Sequence, residues 1–72
     1  MKVREVTKVI EKDGWRFKNQ EGSHRHYVHP VKSGKVTLVG DPGDDIGEGT
    51  LRSILRQAKL TKRDIEEWKN KR

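Results

Sequence analysis

Residues 15–30, WRFKNQEGSHRHYVHP, hold the pattern that decides the fold. Trp15 and Phe17 alternate with charged residues, as in a strand with one buried face. The Glu-Gly pair at residues 21–22 is a turn signal, and a second strand, SHRHYVH, runs from there to Pro30, which has no N–H to donate to a sheet. The stretch predicts a β-hairpin, with Trp15 and Phe17 in the core.

A short amphipathic helix is predicted ahead of the hairpin, and Gly14 is well placed to end it. Its apolar face consists of Val3, Val6, Val9 and Ile10. After the hairpin, VKSGK reads as a loop, and KVTLV at residues 35–39 reads as a third strand rich in β-branched residues. The three strands together predict an antiparallel meander.

The last part of the chain predicts a loop and two helices. GDPGDDIGEG, residues 40–49, holds four glycines and a proline and cannot form regular structure. A helix follows, with Gly49 or Thr50 as its expected N-cap and an apolar stripe at positions i, i+3, i+4 and i+7. The stripe is Leu51, Ile54, Leu55 and Ala58. At Thr61, the sequence TKRD is similar to a capping box and opens a short final helix.

These elements predict an α+β fold: a small α-β-β-β-α domain with a three-stranded antiparallel sheet, helices on one face and a short C-terminal helix. Residues 1–72 are expected to form this single domain. Because the two main helices can cover only one face of the sheet, the other face is expected to stay open to water. Small domains with this order of elements resemble the double-stranded-RNA-binding fold.

The composition excludes several classes of site. The chain has 72 residues, a net charge of +6 and no cysteine, so disulfides, thiolate zinc sites and cysteine nucleophiles are excluded. No apolar run approaches the ~20 residues of a membrane span, and we expect a cytoplasmic protein without a membrane partner. Residues 1–39 carry a net +5, residues 40–48 a net −4 and residues 49–72 a net +5. A small basic domain favours polyanions, with nucleic acid first among them.

The three histidines of the chain are His24, His26 and His29. On a strand, His24 and His26 share one face with Val28, whereas His29 points to the other face. Three ligands on two faces do not converge on one ion, so neither a metal nor another cofactor is expected. Two interpretations remain: the histidines are ordinary polar surface, as we favour for His26 and His29, or an imidazole performs acid–base chemistry.

Cleavage of RNA by acid–base chemistry needs few catalytic groups. The ribose 2′-OH has to lose a proton and the leaving 5′-oxygen has to gain one, and a histidine can do either near neutral pH. Ser23 is less suited to catalysis, because a serine nucleophile needs a base, an orienting acid and an oxyanion hole. We expect Ser23 to hold the hairpin turn by hydrogen bonding and Tyr27 to pack in the core or at the sheet edge.

Two segments together resemble the HicA toxin family. GSHRHYVHP at residues 22–30 is similar to the family's G-S-H-x-x-[YF]-x-H-P stretch, and GTLRSILRQAKLT at residues 49–61 is similar to its G-T-L-x-x-I-L-x-Q-A-x-L segment. DGW at residues 13–15, before the first strand, also fits. The motif positions besides the histidine are Gly22, Ser23, Tyr27, Gly49 and Thr50.

The resemblance implies an mRNA interferase, the toxin of a type II toxin–antitoxin system. Such toxins adopt a double-stranded-RNA-binding-like fold and cleave mRNA without a metal, and a cognate HicB-type antitoxin binds and blocks them. The catalytic histidine of the motif falls on His24, which becomes the expected general acid or base. The candidate residues for RNA contacts are Lys18, Arg25, His26, Lys32 and Lys35.

Two residues depart from the family pattern. Asn19 stands where many members have an arginine, and Asp41 stands where many have a histidine after the third strand. If that histidine aids RNA binding or proton transfer, His26 is the residue that could replace it. Two alternatives to an enzyme stay open: a non-catalytic RNA-binding module, and a degenerate toxin that only binds its antitoxin. The first predicts that His24→Ala leaves function intact, and the second predicts antitoxin binding with no effect on RNA.

Overall fold

The computed structural model describes residues 1–71. In chain order, its elements are α1 (Val3–Lys12), β1 (Arg16–Glu21), β2 (His24–Val28), β3 (Val36–Val39), α2 (Glu48–Ala58) and α3 (Lys62–Lys71). The strands form one antiparallel sheet in the order β1-β2-β3. The predicted α+β class and α-β-β-β-α order, with an added C-terminal helix, are confirmed. No helix within residues 1–71 is both long and apolar enough to cross a bilayer.

Helix α2 begins earlier than the sequence predicted. Its N-cap is Gly47, in an extended conformation, and Glu48 is its first residue. Gly49 and Thr50 therefore lie inside the first turn, and the expectation that one of them caps the helix is wrong. An acidic residue is favourable at this place, because the unpaired N–H groups of a helix N-terminus carry partial positive charge.

The β1–β2 hairpin closes through a two-residue turn formed by Gly22 and Ser23. Gly22 has φ +60, a positive value that the two-residue turns of β-hairpins need at their first central position and that glycine adopts without strain. The side-chain amide of Gln20 donates to the Gly22 carbonyl at 2.8 Å. Ser23 contributes through its backbone, because its carbonyl accepts the N–H of Gly40 at 3.2 Å.

One face of the sheet packs beneath the helices. Tyr27, Val36 and Leu38 are buried there, in a single core with the apolar faces of α1, α2 and α3. Trp15, just before β1, is buried as predicted. Its indole N–H donates to the carbonyl of Ala58 at the end of α2, at 3.3 Å. The start of the hairpin is thereby fixed to the C-terminal end of α2.

Phe17 lies outside the core, contrary to the expectation, and is 53% exposed. Strand β1 is an edge strand whose register shifts between Phe17 and Asn19. The helices pack over β3, at the opposite edge of the sheet. Phe17 therefore projects beyond the helical cover and meets the Tyr27 ring edge-on, with the ring centroids 5.9 Å apart.

The acidic loop between β3 and α2 is bound to the start of α1. The carbonyl oxygens of Asp44 and Pro42 accept the N–H groups of Val3 and Arg4, at 2.9 and 3.0 Å. N–H groups in the first turn of a helix have no partner within that helix. The loop therefore satisfies α1 with its backbone, while its carboxylates stay exposed to solvent.

Candidate functional site

The open face of the sheet, which points away from the helices, carries two of the three histidines. Tyr27 is 3% exposed beneath the helices, and successive strand residues point to opposite faces. His24, His26 and Val28 therefore lie on the open face, as the sequence predicted. Their pairing partners on the outer strands share this face; they are Arg16, Asn19, Glu21, Thr37 and Val39.

His24 is the exposed histidine of the open face. It is the first residue of β2, where it pairs with Glu21 of β1 and with Val39 of β3. Val39 is itself 53% exposed, so an apolar surface lies beside the imidazole. No hydrogen bond or ion pair within residues 1–71 engages the His24 ring. Its nitrogens are therefore available to a ligand for proton transfer, for which an imidazole is suited near neutral pH.

His26 is engaged at both ring nitrogens. Nε2 lies 3.0 Å from Oε1 of Glu21 on β1, and Nδ1 lies 3.0 Å from Oγ1 of Thr37 on β3. A carboxylate only accepts hydrogen bonds, so Nε2 carries the proton. The side chain is 13% exposed. His26 therefore joins all three strands, and proton transfer from its ring to a ligand requires that network to open.

His29 serves the fold. Nε2 donates to the carbonyl oxygen of Asp13 at 2.7 Å, and Nδ1 accepts the backbone N–H groups of Val31 and Lys32 at 3.0 and 3.1 Å. These partners fix the neutral tautomer with the proton on Nε2. The ring also packs edge-on against Trp15, with the centroids 5.2 Å apart. His29 thus connects the end of β2 to the segment between α1 and β1.

Lys32 is also committed to the fold. Its ammonium lies 2.6 Å from Oδ2 of Asp13 and 3.3 Å from the carbonyl oxygen of Ala58. Ala58 is the last residue of α2, where the unpaired carbonyls attract a cation. An RNA phosphate would have to compete with these contacts. Lys32 is therefore poorly available to bind an RNA phosphate.

The remaining basic candidates differ in their availability. Arg25 is half-buried on the helix-covered side of the sheet, and its guanidinium donates to the Gly40 carbonyl at 3.4 Å. Lys18 is exposed at the register shift of β1, and Lys35 is exposed just before β3. Arg16 is exposed on the open face opposite Val28 and was not among the predicted RNA contacts. The signal was present, because Arg16 alternates with Trp15 and Phe17 in the strand pattern.

The motif residues around His24 have structural or surface positions. Burial raises the pKa of the Tyr27 hydroxyl above its ordinary value, so this group stays neutral and is not a base near neutral pH. Gly22 and Ser23 form the tight turn that precedes His24. Gly49 and Thr50 are exposed in the first turn of α2, on a different element from His24.

Both departures from the family pattern lie near the histidines. Asn19 pairs with His26 on the open face. Asp41 follows β3 at the end of the sheet where the Gly40 N–H bonds to Ser23, next to His24. The backbone N–H of Asp41 donates to Oδ2 of Asp44 at 2.9 Å. The end of the sheet that holds His24 therefore has two exposed carboxylates, those of Asp41 and Asp44, and also the Arg25 guanidinium.

The described side chains offer no cluster of three or more metal-ligating groups within residues 1–71. The family model described as "HicA toxin of bacterial toxin-antitoxin" matches residues 3–60. This segment contains α1, the whole sheet and α2, and it ends before α3. No curated protein matches the chain.

Proposed function

The chain belongs to the HicA toxin family, and on this premise we propose that it is a metal-independent endoribonuclease that cleaves mRNA, with His24 as general acid or base. Membership of the family makes it the toxin of a bacterial toxin–antitoxin system. The observation that supports the catalytic proposal is the position of His24. It is an exposed imidazole without a protein partner in residues 1–71, beside the exposed apolar Val39 on an uncovered sheet face.

The proposed chemistry is proton transfer at a phosphodiester. The ribose 2′-oxygen attacks phosphorus as its proton leaves, and the 5′-oxygen departs as it gains a proton. One positioned imidazole can supply or accept one of these protons, which contributes about 10²–10⁴-fold to the rate. His24 has this role, because His26 and His29 hold their ring protons in hydrogen bonds with Glu21 and Asp13.

The RNA is held by basic side chains that are exposed and not bound to other protein groups. Lys18 and Lys35 are exposed, whereas Lys32 and Arg25 are engaged with other protein groups. His26 contributes indirectly, because its ring holds Glu21 and Thr37 in a hydrogen-bond network that joins the three strands. The toxin acts in the cytoplasm. A HicB-type antitoxin inhibits it there by covering the open face and His24.

The proposal is tested by inducing the wild type and His24→Ala in a bacterial host and following growth and total mRNA. His24 is exposed, so the substitution is expected to change stability by less than about 0.5 kcal/mol. Glu66→Ala, exposed on α3 beyond the matched segment, is the matched control. We expect the wild type and Glu66→Ala to arrest growth and degrade mRNA, and His24→Ala to do neither.

Purified protein gives the second readout. We expect the wild type to cut RNA in the presence of EDTA, and His24→Ala to be inactive while it keeps the same circular dichroism. Equal activity of the wild type and His24→Ala would remove His24 from the chemistry. RNA binding without cleavage by the wild type would favour the non-catalytic binding module. Antitoxin binding without any effect on RNA would favour the degenerate toxin.

A further inference from the structure

Two exposed cations flank the end of the open face that is farthest from His24. Arg16 pairs with Val28, the last residue of β2. Lys35 directly precedes Val36, which is buried and pairs with Tyr27. Continued by one residue, the antiparallel register of β2 and β3 sets Lys35 opposite Val28, on the open side of the sheet. Arg16 and Lys35 thus stand on either side of Val28.

The spacing of these two residues suits one phosphate group. Adjacent strands lie about 4.8 Å apart, so the backbones of β1 and β3 are about 10 Å apart across β2. Two long basic side chains can converge on an anion across such a gap. Neither side chain has an ion pair within residues 1–71, unlike Lys32, which is bound to Asp13. Their charge is therefore available to a ligand.

The opposite end of the open face carries carboxylates, and the Arg25 guanidinium there lies on the helix-covered side of the sheet. Glu21 pairs with His24 there, and Asp41 and Asp44 follow β3 with exposed carboxylates. A polyanion that reaches His24 meets negative charge if it continues toward that loop. It meets positive charge if it continues along β2 toward Val28. The charge near the open face therefore changes along β2, from carboxylates at the His24 end to basic side chains at the Val28 end.

We propose that Arg16 and Lys35 form a phosphate-binding subsite for a single-stranded RNA that runs along β2 from His24. The inference rests on the proposed function and adds the direction in which the substrate leaves the reacting phosphate. Val28 lies four residues from His24, or about 13 Å along the strand at ~3.3 Å per residue. The subsite therefore holds a phosphate other than the one that is cleaved, and it discriminates by charge rather than by base.

The test is the salt dependence of RNA binding. The probe is a single-stranded octanucleotide with 2′-O-methyl groups, which cannot be cleaved because it has no free 2′-OH. Its affinity is measured by fluorescence anisotropy between 50 and 200 mM salt for the wild type, for R16Q/K35Q and for K69Q/K71Q. The last variant removes the same charge from exposed positions of α3. Cleavage of an all-ribose octanucleotide by the wild type is measured separately.

For R16Q/K35Q, we expect the slope of log K against log salt to become shallower by about 0.7, since the two side chains hold one phosphate and each phosphate contact to a single strand contributes about 0.7. K69Q/K71Q should keep the wild-type slope. An unchanged slope in R16Q/K35Q, or an equal change in both variants, overturns the subsite, and so does a wild type that does not bind the probe. Cleavage by the wild type with an unchanged slope leaves the endoribonuclease standing without the subsite. The expected slopes without cleavage keep the subsite and remove the endoribonuclease.

Discussion

Nε2 of His29 lies 2.7 Å from the carbonyl oxygen of Asp13, and this contact leaves no room for a side chain at Gly14. A Cβ at Gly14 would approach the same nitrogen to 2.7 Å. The DGW and HP segments, distant in sequence, are therefore parts of one structural unit. Both ring nitrogens of His29 have hydrogen-bond partners, so this side chain serves the fold. The His24 ring has no hydrogen-bond partner within residues 1–71 and stays available to a ligand.

Gly14→Ala is expected to cost more stability than Gly34→Ala. Both glycines have positive φ, +110 and +81, but nothing lies within 4 Å of a Cβ at Gly34. Gly34→Ala should cost about 1–2 kcal/mol for the backbone conformation alone. Gly14→Ala adds the displacement of His29, about 1–3 kcal/mol more. Urea unfolding of the two variants measures the difference, and equal costs would show that the His29 contact yields without penalty.

Gln57 is expected to protect the free edge of β3. Its Oε1 accepts the backbone N–H of Thr37 at 3.0 Å. In Gln57→Leu this N–H loses its acceptor, which should cost about 1 kcal/mol. Gln57→Glu is the matched control, because it keeps a side-chain oxygen at the same distance from the helix. Amide hydrogen exchange of Thr37 should become faster in Gln57→Leu and remain slow in Gln57→Glu; similar exchange in both would assign the protection to something other than Gln57.

Much of this fold can be predicted from the sequence, because its helices and strands follow local patterns of apolar residues. Alternation in β2 predicts that His24 and His26 share a face, and the pairing agrees. Phe17 was misplaced because alternation identifies a face but not how far the helices extend over it. Gln57 was missed because its acceptor role depends on the distance between α2 and the edge of β3, which no local pattern encodes. The same holds for the partners of His26, which come from both neighbouring strands.

Asp64 is expected to make stability depend on pH in the acid range. The backbone N–H of Thr61, which donates to its Oδ2 at 2.7 Å, lowers the pKa of Asp64 below its ordinary value, and the Thr61 hydroxyl acts in the same direction. A carboxyl with a lowered pKa in the folded state contributes stability above its unfolded pKa, about 3.9. That contribution is lost as the pH falls through the lower folded value.

The measurement is urea unfolding of the wild type and Asp64→Asn from pH 7 to pH 2. Asparagine keeps an oxygen acceptor but does not titrate in this range. The stability difference between the two proteins should be constant from pH 7 to about pH 5 and should shrink below about pH 4, where the unfolded carboxyl takes up its proton first. A difference that stays constant down to pH 2 would contradict the lowered pKa.

His26 is expected to act on RNA through Glu21. The Glu21 carboxylate is on the strand position opposite His24, yet it is held by Nε2 of His26 at 3.0 Å. His26→Ala leaves this carboxylate without its partner on the face proposed to meet phosphate. RNA affinity should fall about fivefold, which corresponds to the upper range of about 1 kcal/mol for an exposed charge interaction. The double variant H26A/E21Q removes the charge as well and should recover most of the affinity.

Steady-state cleavage of an RNA oligonucleotide separates this role from direct catalysis by His26. If His26 only restrains Glu21, His26→Ala raises KM and leaves kcat within a few-fold, and E21Q restores KM. If His26 instead transfers a proton to the substrate, kcat falls by about 10²-fold or more, and removal of the Glu21 charge does not restore it. The network geometry favours the first result, because Glu21 and Thr37 occupy both nitrogens of the ring.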